Sequence, residues 1–293
     1  MYGECHEHLF MNGTDYHAAV RQHEHGPDRE DIRRKLGAYR DAGITFVREG
    51  GDHMRVGEYA REIAGEFGVD LRVPVYGIYP EGQYGRIVGR AWRDMREYRA
   101  LVQGVADRRG DFIKLMLSGI LDFASDGHVT GEAVSAADMT EMVHIAHEEG
   151  FAVMAHVNGA RAVRDAALAG VDSIEHGNFM DEDALDAVAA AGAVWVPTCV
   201  TITNLIGDGR FDDRVLRRLA ERQAENVRRA RDKGIRIALG SDAGAYRVPH
   251  VQGLKDEITC LRAILGEGPE TEALLAGAEA EIRRRFRRGG RDA

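Results

Sequence analysis

The chain has 293 residues, 44% hydrophobic and 30% charged, with a formal net charge of −9 at pH 7. That length suits one large α/β barrel or two ordinary domains, and the acidic balance offers no basic face for nucleic acid or an anionic membrane surface. Three scattered cysteines, Cys5, Cys199 and Cys260, argue against a disulfide scaffold, and no secretory leader or membrane-spanning apolar run is visible, so a cytoplasmic protein is expected.

The predicted elements repeat one junction along the chain. After a first short run at residues 2–5, an amphipathic helix ends at a glycine and a β-rich run follows at once. Gly43 precedes 44–47, Gly68 precedes 69–73, Gly110 precedes 112–115 and Gly150 precedes 151–154. Gly170 precedes 171–174, Gly192 precedes 193–196 and Gly234 precedes 235–238. Glycine suits the left-handed position past a helix end. Between these runs, Ser135-Ala136-Ala137-Asp138 reads as a capping box ahead of the stripe Met139, Met142, Val143 and Ala146, and Asp181 as the N-cap of a helix carrying Leu185, Val188 and Ala189.

Eight such βα units predict an α/β fold of (β/α)8 TIM-barrel type, a single domain over residues 1–293. A doubly wound sheet is the alternative, but no Gly-rich phosphate loop follows the first strand. Long loops are expected after strands one, three, four and seven, the one after strand three (Tyr79 to Gly89) having the composition of a lid. Arg283 to Arg288 reads as a solvated helix end.

In this fold, chemistry sits at the C-terminal strand ends. Strand one ends in Cys5-His6-Glu7-His8, and two histidines at i and i+2 on a strand face one side, where both reach one ion. His23-Glu24-His25 repeats the spacing in a loop and is a weak candidate. Strand four carries Lys114 among apolar neighbours, where a buried ammonium is costly; a snorkelling lysine, a Schiff-base nucleophile and a carboxylated metal bridge all fit. Strand five ends in Ala155-His156-Val157-Asn158, strand six in Ile174-Glu175-His176-Gly177 and strand eight in Gly240-Ser241-Asp242. One such histidine would be an ordinary core residue. Five strands ending this way form a set. Arg48, Arg86 and Arg247 are candidates to receive a substrate carboxylate, and Tyr84 and Tyr246 to line a pocket.

These motifs resemble the amidohydrolase superfamily, on its imidazolonepropionase-like and dipeptidase-like branch. Its most specific marks here are Ser173-Ile174-Glu175-His176-Gly177 and Gly240-Ser241-Asp242-Ala243-Gly244. The resemblance implies a binuclear centre of two divalent metal ions, usually zinc, with His6, His8 and Asp242 on one ion, His156 and His176 on the other, and Lys114 carboxylated as the bridge. It further implies hydrolysis of an amide C–N bond in a small molecule by a metal-bridging hydroxide, with Asp242 as general acid and base. Little or no accessory β-sandwich domain is expected. Many dipeptidase relatives place an aromatic substrate contact near Asn158, a departure that speaks against a dipeptide substrate; Asn158 and Tyr246 are the candidate substrate-binding residues.

Rival readings are a phosphotriesterase- or lactonase-type hydrolase on the same site, which His6-Glu7-His8-Leu9-Phe10 also resembles, and a mononuclear deaminase, which has no use for Lys114. A Schiff-base aldolase and a non-catalytic small-molecule-binding barrel complete the alternatives. The expected partner is a small-molecule substrate, not nucleic acid or membrane; a homo-oligomer is compatible with the sequence but not specified by it.

Overall fold

The computed structural model describes residues 2–124 and 127–291. Ten short strands form its interior: β1 (Glu4–Glu7), β2 (Phe46–Glu49), β3 (Asp70–Arg72), β4 (Gly77–Pro80), β5 (Gly89–Trp92), β6 (Ile113–Met116), β7 (Val153–Val157), β8 (Ser173–His176), β9 (Val194–Val196) and β10 (Arg236–Ile237). Every pairing between them is parallel. β1, β2 and β3 form one sheet, and the other runs in the order β10-β9-β8-β7-β6-β4-β5.

The two sheets are one (β/α)8 barrel. Barrel strand three is broken at Pro74 and Val75, where Val75 has φ 72°. Its first half, β3, pairs with β2 and its second half, β4, with β6. At the other seam, Cys5 N donates to Leu239 O (2.9 Å), Asp242 N to His6 O (2.7 Å) and His8 N to Ala243 O (2.8 Å), which joins strand eight to β1.

The helix-to-strand junctions form as their glycines predict, with one variation. Gly43, Gly68, Gly150, Gly170, Gly192 and Gly234 all have positive φ, but at the remaining junction Arg109 (φ 58°) takes the left-handed turn. Gly110 is required there by space, since a Cβ would meet Val105 Cγ1 at 2.3 Å. Ser135 caps the helix Ala136–Glu148, accepting from Asp138 N (3.1 Å), and Asp181 caps Glu182–Ala191, accepting from Ala184 N (2.9 Å).

The segment read as a lid is the loop between the end of β4 and the start of β5, and one sequence expectation changes. The arginine-rich end is not simply solvated: the helix Pro269–Arg285 leads to a fully buried Phe286, packed on Phe46, Phe112, Ile282 and Met154 at the barrel floor. Arg285 lies 3.8 Å from buried Asp172, and Arg283 stacks over Phe46. No helix among the described residues is long and apolar enough to cross a membrane.

Candidate metal centre

β1 delivers His6 and His8 to the same side at the C-terminal end of the barrel, and both are buried. Strand eight delivers Asp242 opposite them: its Oδ1 lies 3.5 Å from His6 Nε2 and 3.4 Å from His8 Nε2. One ligand atom from each of the three lies within 4.8 Å of the other two, a spacing that fits a single ion. β7 and β8 bring His156 and His176 alongside, ring centroids 4.6 Å apart, and His176 lies 5.1 Å from His6. Lys114, on β6, is buried, and its Nζ has no hydrogen-bond partner among the described residues. All six residues read from the sequence as metal ligands therefore share one pocket.

The imidazoles are held in defined orientations. His156 Nε2 lies 3.1 Å from Gly119 O, an acceptor only, so the proton sits on Nε2 and Nδ1 is the free lone pair. His176 Nδ1 contacts Thr198 Oγ1 at 2.7 Å, leaving its Nε2 toward the cluster. His8 is fitted by steric closure, since a Cβ on Gly50 would meet its ring at 2.3 Å. His176 (φ 67°), Thr198 (φ 50°) and Asp242 (φ 60°) all occupy the left-handed region, costing of order 1–3 kcal/mol each. Strain of this kind persists where the surroundings impose it.

Burial sets the protonation of the pocket. It lowers His8 and His156 to about 3 and holds His6 and His176 well below the ordinary histidine value. Neutral imidazoles are the form that ligates a metal. Burial also lowers Lys114 to about 8, against the pull of Glu175 and Asp242, and raises Asp242 to about 7.

The other candidates fare differently. Asn158 is buried and engaged: its amide donates to Gly119 O (3.1 Å) and its oxygen accepts from Asn178 N and Nδ2. The Tyr246 hydroxyl donates to Asp208 (3.2 Å), with Arg210 stacked on its ring. Tyr84, from the β4–β5 loop, places its ring 5.2 Å from His156. Arg86 and Arg247 are exposed, the latter paired with Asp208, whereas Arg48 is fully buried inside the barrel and bonded to Glu175, so it does not receive a substrate carboxylate. His23 accepts from Asp28 N and His25 is solvent-exposed, so that pair does not converge. Sequence reasoning missed Thr198 and Gly50. Nothing flags a lone threonine, but the Gly50-Gly51 pair after strand two marks a close approach.

Residues 5–274 match the model of the Amidohydrolase family. The chain is 29% identical over 189 residues to an uncharacterized protein of Mycobacterium tuberculosis, covering 62% of this chain and 47% of that protein. It is 28% identical over 153 residues to ochratoxinase of Aspergillus niger, covering 50% and 32%. The chain thus spans less than half the length of these curated relatives. Among solved structures, it superposes on A. niger ochratoxinase with TM-score 0.74 at 21% identity, covering 94% of this chain and 69% of that one. A Xaa-Pro dipeptidase with bound methionine gives TM-score 0.73 at 21% identity, covering 98% and 76%. These likenesses show the fold.

Proposed function

The chain belongs to the amidohydrolase family, and on that premise we propose that it hydrolyses an amide C–N bond in a small molecule at a centre of two divalent metal ions. The observation that carries this reading is the convergence of four neutral imidazoles, Asp242 and the unpartnered amine of Lys114 in one buried pocket. Without a ligand this arrangement is expensive: a buried lysine amine lacks any partner. Nitrogen and carboxylate donors at this spacing suit zinc.

In this reading His6, His8 and Asp242 would hold one ion and His156 and His176 the other. Lys114, carboxylated when its neutral amine adds carbon dioxide and releases a proton, would supply an anionic oxygen ligand to the centre. When bound, the ions polarise the scissile carbonyl and lower the pKa of water toward 7. The chain's own residues do the rest. Thr198 and the Gly119 carbonyl fix two imidazoles in the required tautomer or orientation. Asp242 is the member of its trio most open to solvent, its side chain 17% exposed against 1% for His6 and 8% for His8. It takes a proton from the attacking water and delivers it to the leaving nitrogen. Tyr84 closes the pocket over His156.

Elemental analysis after purification with bicarbonate and no chelator tests the centre. About two equivalents of metal per chain are expected, as in two-metal hydrolytic sites, with a sharp fall in Lys114→Ala. A screen of dipeptides, N-acyl amino acids and cyclic amides tests the reaction. Asp242→Asn should lower turnover by roughly 10²–10⁴, the range of a lost general acid–base. Protein that takes up no metal on reconstitution would overturn the reading, as would turnover indifferent to Asp242→Asn.

A further inference from the structure

Beneath the metal pocket lies a buried charged link that the proposed chemistry does not use. Arg48, on β2, is completely buried, and each of its three nitrogens donates a hydrogen bond. Nε donates to Cys5 O (2.7 Å), Nη1 to Ser173 Oγ (2.9 Å) and Nη2 to Glu175 Oε1 (2.8 Å). Ser173 Oγ also donates to Glu175 Oε1. The guanidinium stacks on Phe286 at 4.3 Å. The other carboxylate oxygen, Glu175 Oε2, stands 2.8 Å from His6 Nδ1. The ring N–H is off the line to that oxygen, so the contact is not a formed hydrogen bond, and neither atom has a hydrogen-bond partner among the described residues.

We propose that Glu175, clamped by Arg48 and Ser173, is a positioning residue that keeps the proton of His6 on Nδ1 and so presents Nε2 as the metal-ligating lone pair. Arginine has no acceptor atom, so Oε1 has to be the accepting end of the carboxylate. That assignment leaves Oε2, also an acceptor, for His6. A histidine whose second nitrogen meets a carboxylate is fixed in tautomer and made more basic toward its metal.

Stability alone does not account for the link. A buried ion pair costs desolvation that well-packed apolar side chains of similar volume avoid. The floor directly below is built in that cheaper way, from Phe46, Phe112, Met154, Val194 and Phe286. The Arg48–Glu175 pair stands instead where the barrel interior meets His6. Geometry makes the connection economical: Ser173 and Glu175 are i and i+2 on β8 and share a face, and Arg48 reaches them across the barrel interior from β2.

This inference rests on the proposed metal centre, yet it has a readout without metal. In Glu175→Gln, Arg48 still demands an acceptor, so the amide nitrogen must face His6 and donate to Nδ1. Long-range 15N–1H NMR of the metal-free protein should show the His6 proton moving from Nδ1 to Nε2. Zinc affinity by chelator competition should fall about 10–100-fold, the usual cost of losing such a partner. The double variant Arg48→Met, Glu175→Gln removes the demand and frees the amide to turn, so the Nδ1–H tautomer and part of the affinity should return. A role confined to packing predicts no such rescue. Glu175→Gln with an unchanged His6 tautomer would overturn the proposal, and so would a double variant no better than the single one. Wild-type protein that binds no zinc would instead remove the metal reading, while the tautomer measurement would still decide the role of Glu175.

Discussion

The two ends of the barrel solve opposite problems. At the floor, Cys5, Phe46, Phe112, Ile282 and Phe286 are buried against one another, with the Phe112 and Phe286 rings edge to face at 5.4 Å. At the rim, Lys114 Nζ and His8 Nδ1 are buried without hydrogen bonds, and His176, Thr198 and Asp242 sit in left-handed backbone. A protein that is stable by only a few kcal/mol cannot spend that way everywhere. The floor supplies stability, and the rim converts part of it into a site that holds unpaired groups such as Lys114 Nζ.

Acid should expose this division most strongly. In the metal-free protein, His8, His156 and His250 are held neutral by burial down to about pH 3, whereas in the unfolded chain they protonate below about 6.5. Between those values the unfolded state binds more protons, so stability falls as pH falls. Glu4 and Asp242, raised to about 7, act in the opposite direction. Their folded forms keep protons that the unfolded chain sheds above about pH 4. Glu7, Glu49 and Glu257 are raised as well, and His6 and His176 lowered, so between about pH 6.5 and 4.5 the two sets oppose one another and the profile is shallow. Below about pH 4 the carboxyls are protonated in both states, their opposition vanishes, and the histidines make stability fall more steeply. Urea unfolding midpoints across pH 3–7 should therefore bend downward near pH 4. A flat profile would mean the rim histidines are not held neutral, and the contrast between the ends would fail.

A core truncation probes the other end. Ile282→Ala, at a fully buried floor position, should cost about 2–5 kcal/mol in urea unfolding, with metal content per folded chain unchanged. Ile282 is the better choice than Phe286, whose ring carries the Arg48 guanidinium and so communicates with Glu175. If metal affinity dropped along with stability in Ile282→Ala, the floor and rim would be one cooperative unit.

The same contrast explains what could be read from the sequence. The barrel and its six ligand candidates were legible because both follow from local pattern: glycine-terminated helices, short apolar runs and polar residues at each run's end. The division of barrel strand three was not, because Gly77–Pro80 and Gly89–Trp92 are four-residue stretches that begin at glycine, the first ending at proline, and read as loop. Arg48 looked like a substrate-facing cation. Its role depends on which residues of β8 lie across the barrel, a fact of tertiary register that no local pattern carries. Asn158 had the same difficulty, since its partners Gly119 and Asn178 come from two other loops. Phe286 sat in an arginine-rich tail whose charge masked one buried ring.

The smallest effect should separate the ends most cleanly. Gly50 has ordinary negative φ, so alanine meets no backbone strain there, and its N–H is already fixed on Glu7 O at 2.7 Å. The added methyl nonetheless strikes the His8 imidazole, with Cε1 at 2.3 Å, Nε2 at 2.7 Å and Nδ1 at 2.8 Å. Because the backbone is held by the β1–β2 pairing, the ring must turn, and turning it carries Nε2 away from Asp242. Gly50→Ala should thus weaken metal binding by about 10–100-fold, or ~1.4–2.7 kcal/mol, while the unfolding midpoint of the metal-free protein moves little. Chelator competition and urea unfolding on one preparation would measure both. Loss of stability with metal binding intact would mean that His8 has room to yield and that Gly50 serves the fold, not the site.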